Sequence, residues 1–242
     1  MEINQNIAEY YDELYPVTEE QKRFYEERVK KYSAPVKFLR IGCGTGTFEH
    51  NLAREGFDVT GLETSTELLE SANRKRRTQL MAVRYFQMSS LEMSRFLGRN
   101  FYDIISILDN RVLFIRDEVF LAKFFYDCHE LLRQNGCMIL TAPNFDLYPD
   151  KTKIVLPERK SIRAMLTTTI SLKNDQMLMD QKLETGNGRR LTITEDAPVN
   201  LITKEQIQKG AKEAGFTSVD FFADFELNPL TESSENILAV IS

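Results

Sequence analysis

From Val36 to Ala142 the chain alternates short apolar runs with longer stretches whose apolar residues recur every three to four positions. The runs Val36–Ile41, Phe57–Leu62, Val83–Gln87, Tyr102–Leu108 and Cys137–Ala142 read as strands. Tyr102–Leu108 is almost continuously apolar, as expected of a strand covered on both faces. Between the first two strands, Thr47–Glu55 carries Phe48, Leu52 and Ala53 on one side and ends at Gly56, the pattern of an amphipathic helix. A second helix starts at Ser65 or Thr66, either a fair N-cap, with Leu68, Leu69 and Ala72 inward. A short helix over about Ser90–Leu97 and a longer one over about Asp117–Leu132 follow, and Gln134-Asn135-Gly136 predicts a turn that lets Cys137 open the fifth strand. Such alternation predicts a parallel sheet with helices on both faces.

The pattern differs at both ends. Ile7–Tyr32 reads as helix, broken by Pro16 into a short and a longer piece. After Pro143 no strong long helix occurs until about Asn200. Instead Leu166–Lys173, Gln176–Leu183 and Arg190–Thr194 read as strands rich in Thr, Ile, Leu and Met, and Thr185-Gly186-Asn187-Gly188 signals a hairpin. A helix over Lys204–Ala214, begun by Thr203 and closed by Gly215, leads to two last strands, Ser218–Ala223 and Asn236–Ile241. The expected organisation is one α/β unit over 1–143 and 201–242, with 144–200 inserted as a small antiparallel sheet.

The chemistry concentrates where the first strand ends, at Gly42-Cys43-Gly44-Thr45-Gly46. Glycines permit a sharp turn and close approach of a ligand. The following helix aims its free N–H groups at that ligand. Glu63, about 20 residues on and ending the second strand, is placed to accept hydrogen bonds from both hydroxyls of a ribose. An adenosine-containing cofactor follows from this order. The third glycine comes one residue early for the dinucleotide fingerprint G-x-G-x-x-G, and no Gly-Lys-Ser/Thr of a P-loop is present.

Gly-Cys-Gly-Thr-Gly resembles motif I of the class I S-adenosylmethionine-dependent methyltransferases. Leu131-Leu132-Arg133-Gln134-Asn135-Gly136-Cys137 is similar to their turn before strand five, and Tyr10-Tyr11-Asp12 with the inserted sheet looks most like the small-molecule branch, which includes glycine and sugar N-methyltransferases. The resemblance runs from Tyr10 to Ile241. It implies a Rossmann-like, seven-stranded, mostly parallel sheet ending in an antiparallel hairpin. It further implies S-adenosylmethionine held by Tyr11, Gly42, Cys43, Gly44, Gly46, Glu63, Thr64, Ser65, Leu68, Met88, Ser89 and Leu108. Met88 and Ser89 would lie beside the adenine, and Tyr11 would close over the cofactor. The segment after strand four would face the acceptor, making Asp109 and Asn110, with Tyr11, the candidates for a catalytic part. Against these roles stand plain ones: a helix cap for Ser89, solvated loop positions for Asp109 and Asn110, and core aromatics for Tyr10, Tyr11 and Tyr15.

Two positions depart from the resembled pattern. Arg40 stands where an acid is usual, and Ser89 where an acid usually meets the adenine amino group. Arg40 has three readings: a partner for Glu63, a ligand for the cofactor carboxylate, or a side chain pointing away. Three functions stay open: methyl transfer to a small-molecule acceptor at N or O, a non-catalytic cofactor-binding or assembly module, and nicotinamide-dependent oxidoreduction, which rests on βαβ logic alone.

Composition narrows the partners. The 242 residues carry a net charge of -5, with a pI near 5.3, which argues against a general nucleic-acid binder. Arg74-Lys75-Arg76-Arg77 is the local exception and reads as a solvated helix end. Cys43, Cys128 and Cys137 have no metal-ligand spacing and fit reduced thiols in a cytoplasm. His50 and His129 read as helix-surface or interhelical residues. No metal cluster and no transmembrane run is evident, and an oligomer remains open.

Overall fold

Pro16 and the capping residues cut the chain into its elements much as their chemistry requires. The computed structural model describes residues 7–76 and 82–242. Helices α1 (Tyr11–Leu14) and α2 (Glu19–Val29) lie on either side of Pro16, and Thr18 caps α2 by accepting from the Gln21 N–H. Then follow β1 (Lys37–Ile41), α3 (Thr47–Arg54), β2 (Asp58–Glu63), α4 (Thr66–Arg76), β3 (Val83–Gln87), α5 (Met93–Phe96), β4 (Tyr102–Ile107), α6 (Glu118–Leu131) and β5 (Leu132–Pro143). The second sheet contains β6 (Lys153–Val155), β7 (Arg159–Lys160), β8 (Ala164–Lys173), β9 (Gln176–Thr185) and β10 (Arg190–Pro198). The chain closes with α7 (Lys204–Ala214), β11 (Val219–Phe222) and β12 (Asn236–Ile241). Thr203 and Gln206 form a full capping box on α7, and Gly215 ends it at φ 102°.

The seven-stranded sheet runs β11-β12-β5-β4-β1-β2-β3, parallel except for β12, which pairs antiparallel with both β5 and β11. Strand order reverses between β1 and β4, so the carboxyl ends of those two strands open the crevice where open α/β sheets bind ligands. Alternate residues of β1 feed two cores. Leu39 and Ile41 join Phe124 and Phe125 of α6 and reach Ile154, Ile170 and Met179 of the second sheet. Phe38 joins Tyr25, Phe48 and Leu52 on the other face. A third cluster brings Tyr11 and Leu14 of α1 against Leu68 of α4 and Leu166, Leu183 and Ile193 of the second sheet.

Three sequence expectations change. Strand five does not open at Cys137: pairing with β4 already starts at Leu132, slips between Tyr102 and Ile104, and absorbs the slip where Asn135 adopts φ 64°. The Asn-Gly signal is therefore a bulge within a strand, not a turn before one. The second sheet has two short strands, β6 and β7, beyond the three read from sequence. At the basic cluster Lys75 is not merely solvated, because its Nζ reaches Asp12 Oδ2 and Thr47 Oγ1, each at 2.6 Å. Arg77 lies outside the described residues.

Candidate active site

The glycine loop is pinned before it turns. The N–H groups of Gly42 and Cys43 both donate to the Leu62 carbonyl, at 2.8 and 2.9 Å, which ties the loop to the end of β2. Gly42, Gly44 and Gly46 all adopt positive φ, between 57° and 74°. Space is as restrictive as backbone angle. A Cβ on Gly42 would lie 2.8 Å from Arg111 Cγ, and one on Gly44 would overlap the Tyr11 ring. Gly46 is filled from the opposite side by Tyr85, whose hydroxyl donates to the Gly46 carbonyl and meets His50 Nδ1, each at 3.2 Å.

Glu63 ends β2 facing this loop and is 3% exposed. Its Oε2 accepts from the Gly44 N–H at 3.0 Å, and its Oε1 from the Thr64 and Ser65 N–H groups at 2.8 and 3.0 Å. Each carboxylate oxygen has more than one acceptor direction. The charge is thus held by the backbone while one edge still borders a cleft of about 700 Å³. Gly42, Glu63, Thr64, Leu68, Met88, Ser89, Asp109 and Asn110 line that cleft, with Phe114, Arg116 and the inner face of the second sheet opposite. The volume falls in the range of small-molecule sites.

Other expected residues lie behind the wall. Cys43 packs at Gly61, Leu108 is in the core, Ser65 caps α4, and Gly46 is occupied by Tyr85. Gly44 and Tyr11 cover each other rather than the cleft, and Tyr11 also stacks on Tyr15, centroids 4.7 Å apart. Tyr11 is buried, and burial raises its phenol pKa. Arg111 donates to the Tyr11 hydroxyl at 3.3 Å. Burial opposes its charge, yet Tyr11 and Glu63 together keep the guanidinium pKa above its usual value.

Arg40 does not pair with Glu63. It is buried, donates to Asp109 Oδ2 at 2.8 Å, and sits 3.5 Å from Glu49 Oε1 of α3. Its Nη1 and both Glu49 oxygens have no hydrogen-bond partner within the protein. Burial pushes the Glu49 carboxyl up to about 7, against the pull of Arg40. Asp109 and Asn110 follow β4 with φ 55° and 61°, a left-handed pair that turns the chain at the crevice. Arg159 of β7 approaches Asp109 from the far side at 3.7 Å.

The N-terminal segment is stitched across this site. Asp12 accepts from the Thr45 and Thr47 hydroxyls and from Lys75. Burial works against its ionisation, but the hydrogen bonds from Lys75, Thr45 and Thr47 hold its carboxyl below the usual range. On the other side, Arg163 pairs with Glu9 and Glu13 at 3.3 and 2.6 Å, and the Arg159 guanidinium lies 4.2 Å from the Tyr15 ring centroid. Helix α1 therefore bridges the glycine loop and the second sheet.

Sequence reading missed Arg111, Asp12 as a clamp, Arg159 and Glu49. A usable signal existed for Glu49: it shares the inward stripe of α3 with Phe48, Leu52 and Ala53, and β1 carries one buried charge, Arg40. The three cysteines are buried and unpaired, and burial raises all three thiol pKa values. His129 packs edge-on to Phe216, and His50 is buried at Tyr85. Among the described residues no group of three or more His, Cys, Asp or Glu could hold a metal, and no helix is long and apolar enough to cross a membrane.

Known proteins share part of the sequence and the fold. Residues 38–136 match a family model described as a methyltransferase domain. A relative from Geobacillus sp., whose name places it among the methyltransferases, is 27% identical over 139 residues, 56% of this chain and 55% of its own. The chain thus spans little more than half the length of that relative. The fold matches the CcbJ methyltransferase of Streptomyces caelestis (TM-score 0.78, 20% identity, 97% of this chain and 95% of that one). It also matches a sugar N-methyltransferase of Streptoalloteichus sp. (TM-score 0.65, 15% identity, 96% and 90%).

Proposed function

We propose that this chain, which carries a methyltransferase domain on the class I methyltransferase fold, transfers a methyl group from S-adenosylmethionine to nitrogen or oxygen of a small-molecule acceptor. The observation that carries the reading is the placement of Glu63. Its carboxylate is fixed by three backbone N–H groups at the end of β2 and borders the cleft beside Gly42, where a ribose needs a two-hydroxyl acceptor. Thr64 and Leu68 would flank the nucleoside, and Met88 and Ser89 would border the base. The residues present fit the cofactor in kind: one anchored acid, a close-packed glycine turn, and apolar walls.

When bound, S-adenosylmethionine supplies a methyl group already activated on a sulfonium. The protein's tasks are then alignment and exclusion of water. Helix α1 covers the loop through Tyr11, and the second sheet walls the opposite side. Asp109, held by Arg40 and reached by Arg159, offers acceptor oxygens at the crevice that can orient an N–H or O–H of the methyl acceptor. A base is needed only if the acceptor arrives protonated.

The reading of a non-catalytic module drew on Arg40 and on Ser89, of which Arg40 is the buried charge. Asp109 and Glu49 provide that charge with partners, so it no longer argues for an impaired site. Calorimetry tests the assignment: S-adenosylhomocysteine should bind stoichiometrically and NADH should not. Saturable NADH binding without S-adenosylhomocysteine binding would reverse it.

A further inference from the structure

Toward the cleft, the inner face of the second sheet sets one polar row between two apolar ones. Strands β8, β9 and β10 align Leu166 with Leu183 and Leu191, and then Ile170 with Met179 and Ala197. Between these two rows lie Thr168, Gln181 and Thr194, directly opposite one another. All three line the cleft. Gln181 Nε2 donates to Thr168 Oγ1 and Gln181 Oε1 accepts from the Thr194 hydroxyl, each at 3.1 Å. Burying polar groups in an apolar face is unfavourable unless every hydrogen-bonding direction is used. This row uses only part of its capacity internally. The second Nε2 hydrogen of Gln181, a lone pair on its Oε1, the Thr168 hydroxyl hydrogen and the Thr194 oxygen all remain.

We propose that Thr168, Gln181 and Thr194 form the acceptor-selecting row, and that the acceptor presents a hydroxyl group to it. The inference rests on the reading of the cleft as a methyl-transfer site. Donors and acceptors alternate along the row, and a hydroxyl both donates and accepts. None of the three side chains is charged, so a carboxylate, phosphate or ammonium placed there would lose hydration without a counter-charge. Of the other charged side chains lining the cleft, Arg116, Glu158 and Glu195 are solvent-exposed, while Arg159 is engaged with Asp109, Arg111 with Tyr11 and Glu63 with backbone N–H groups. The leucine row and the Ile170–Met179–Ala197 row favour carbon on either side of that hydroxyl. The selected class is a small, partly apolar molecule with a neutral hydroxyl near its middle.

The test compares trans-2-aminocyclohexanol with cyclohexylamine, a pair differing by one hydroxyl. Their affinities are measured by ligand-observed NMR titration, with and without saturating S-adenosylhomocysteine. The parent protein should prefer the hydroxylated probe at least tenfold. Gln181→Leu should abolish the preference while leaving S-adenosylhomocysteine affinity within twofold. Thr168→Val, which keeps shape and removes the hydroxyl, should reduce the preference several-fold. Circular dichroism establishes that each variant is folded. Equal binding of the two probes, binding of neither, or a preference that survives Gln181→Leu would overturn the proposal. Failure of S-adenosylhomocysteine to bind would instead remove the methyl-transfer reading, and the probes on the free protein would still decide the row.

Discussion

At the scale of single residues, the site depends on charges held by the fold. Glu63 accepts three backbone hydrogen bonds while bordering the cleft, so Glu63→Ala should act twice. Loss of charge-assisted ribose contacts should weaken S-adenosylhomocysteine binding by about 1.5–3 kcal/mol, measured by calorimetry. Release of the Gly44 N–H should also lower the melting temperature without ligand. An unchanged affinity in the folded variant would exclude Glu63 from the cofactor site. Arg40 has the opposite balance. It lies under the site rather than in the cleft, so Arg40→Ala should chiefly reduce stability, by about 3–5 kcal/mol in urea denaturation, because Glu49 and Asp109 lose their counter-charge. Glu49 gives this cluster a pH signature. Burial raises its carboxyl from 4.5 to about 7, so between those values the folded state binds more protons than the unfolded state. Its contribution to stability is therefore most favourable below about 4.5, is lost as pH rises toward 7, and is constant above. The loss amounts to about 3 kcal/mol. In denaturation curves from pH 5 to 8, Glu49→Gln should remove that downward component, and an identical slope in parent and variant would refute the assignment.

At the scale of elements, α1 is short and relies on its neighbours. Asp12 ties it to the loop and α4, and Arg163 ties it to the second sheet. Asp12→Ala should speed amide exchange in α1 by tenfold or more and leave β1, β4 and β5 protected, read by hydrogen-exchange mass spectrometry. Protection unchanged in α1 would show that apolar packing of Tyr11 and Leu14 suffices. The same element shows where sequence reading succeeds and stops. Pro16 marked the break, and Tyr10-Tyr11-Asp12 was singled out, because both are local signals. That Tyr11 covers Gly44, or that Arg111 covers Gly42, depends on contacts between distant segments, which periodicity does not encode. Likewise the Lys204–Ala214 helix and the Asn236–Ile241 strand were readable to the residue, since a capping box and an uninterrupted apolar run define them. β6 and β7 were missed because strands of three and two residues are too short for alternation to register.

At the scale of the molecule, one apolar cluster spans both sheets, joining Leu62 and Ile107 to Ile154, Ile170 and Met179. The two sheets should therefore melt together, in one calorimetric transition. A ligand seated between them should shift that transition as a whole: S-adenosylhomocysteine at 100 times its dissociation constant adds about 2.7 kcal/mol. Two separated transitions, with only one responding to ligand, would show that the second sheet unfolds independently. The pairing of β5 with β12 has a further consequence. These neighbours in space are separated in the chain by the second sheet, α7 and β11. On a ribosome, β5 waits with an unpaired edge while all of that is made, several seconds at about 5–20 residues per second. Cys137–Ala142 then exposes an apolar strand edge to any other nascent chain. Only the pairing with β12 closes that edge.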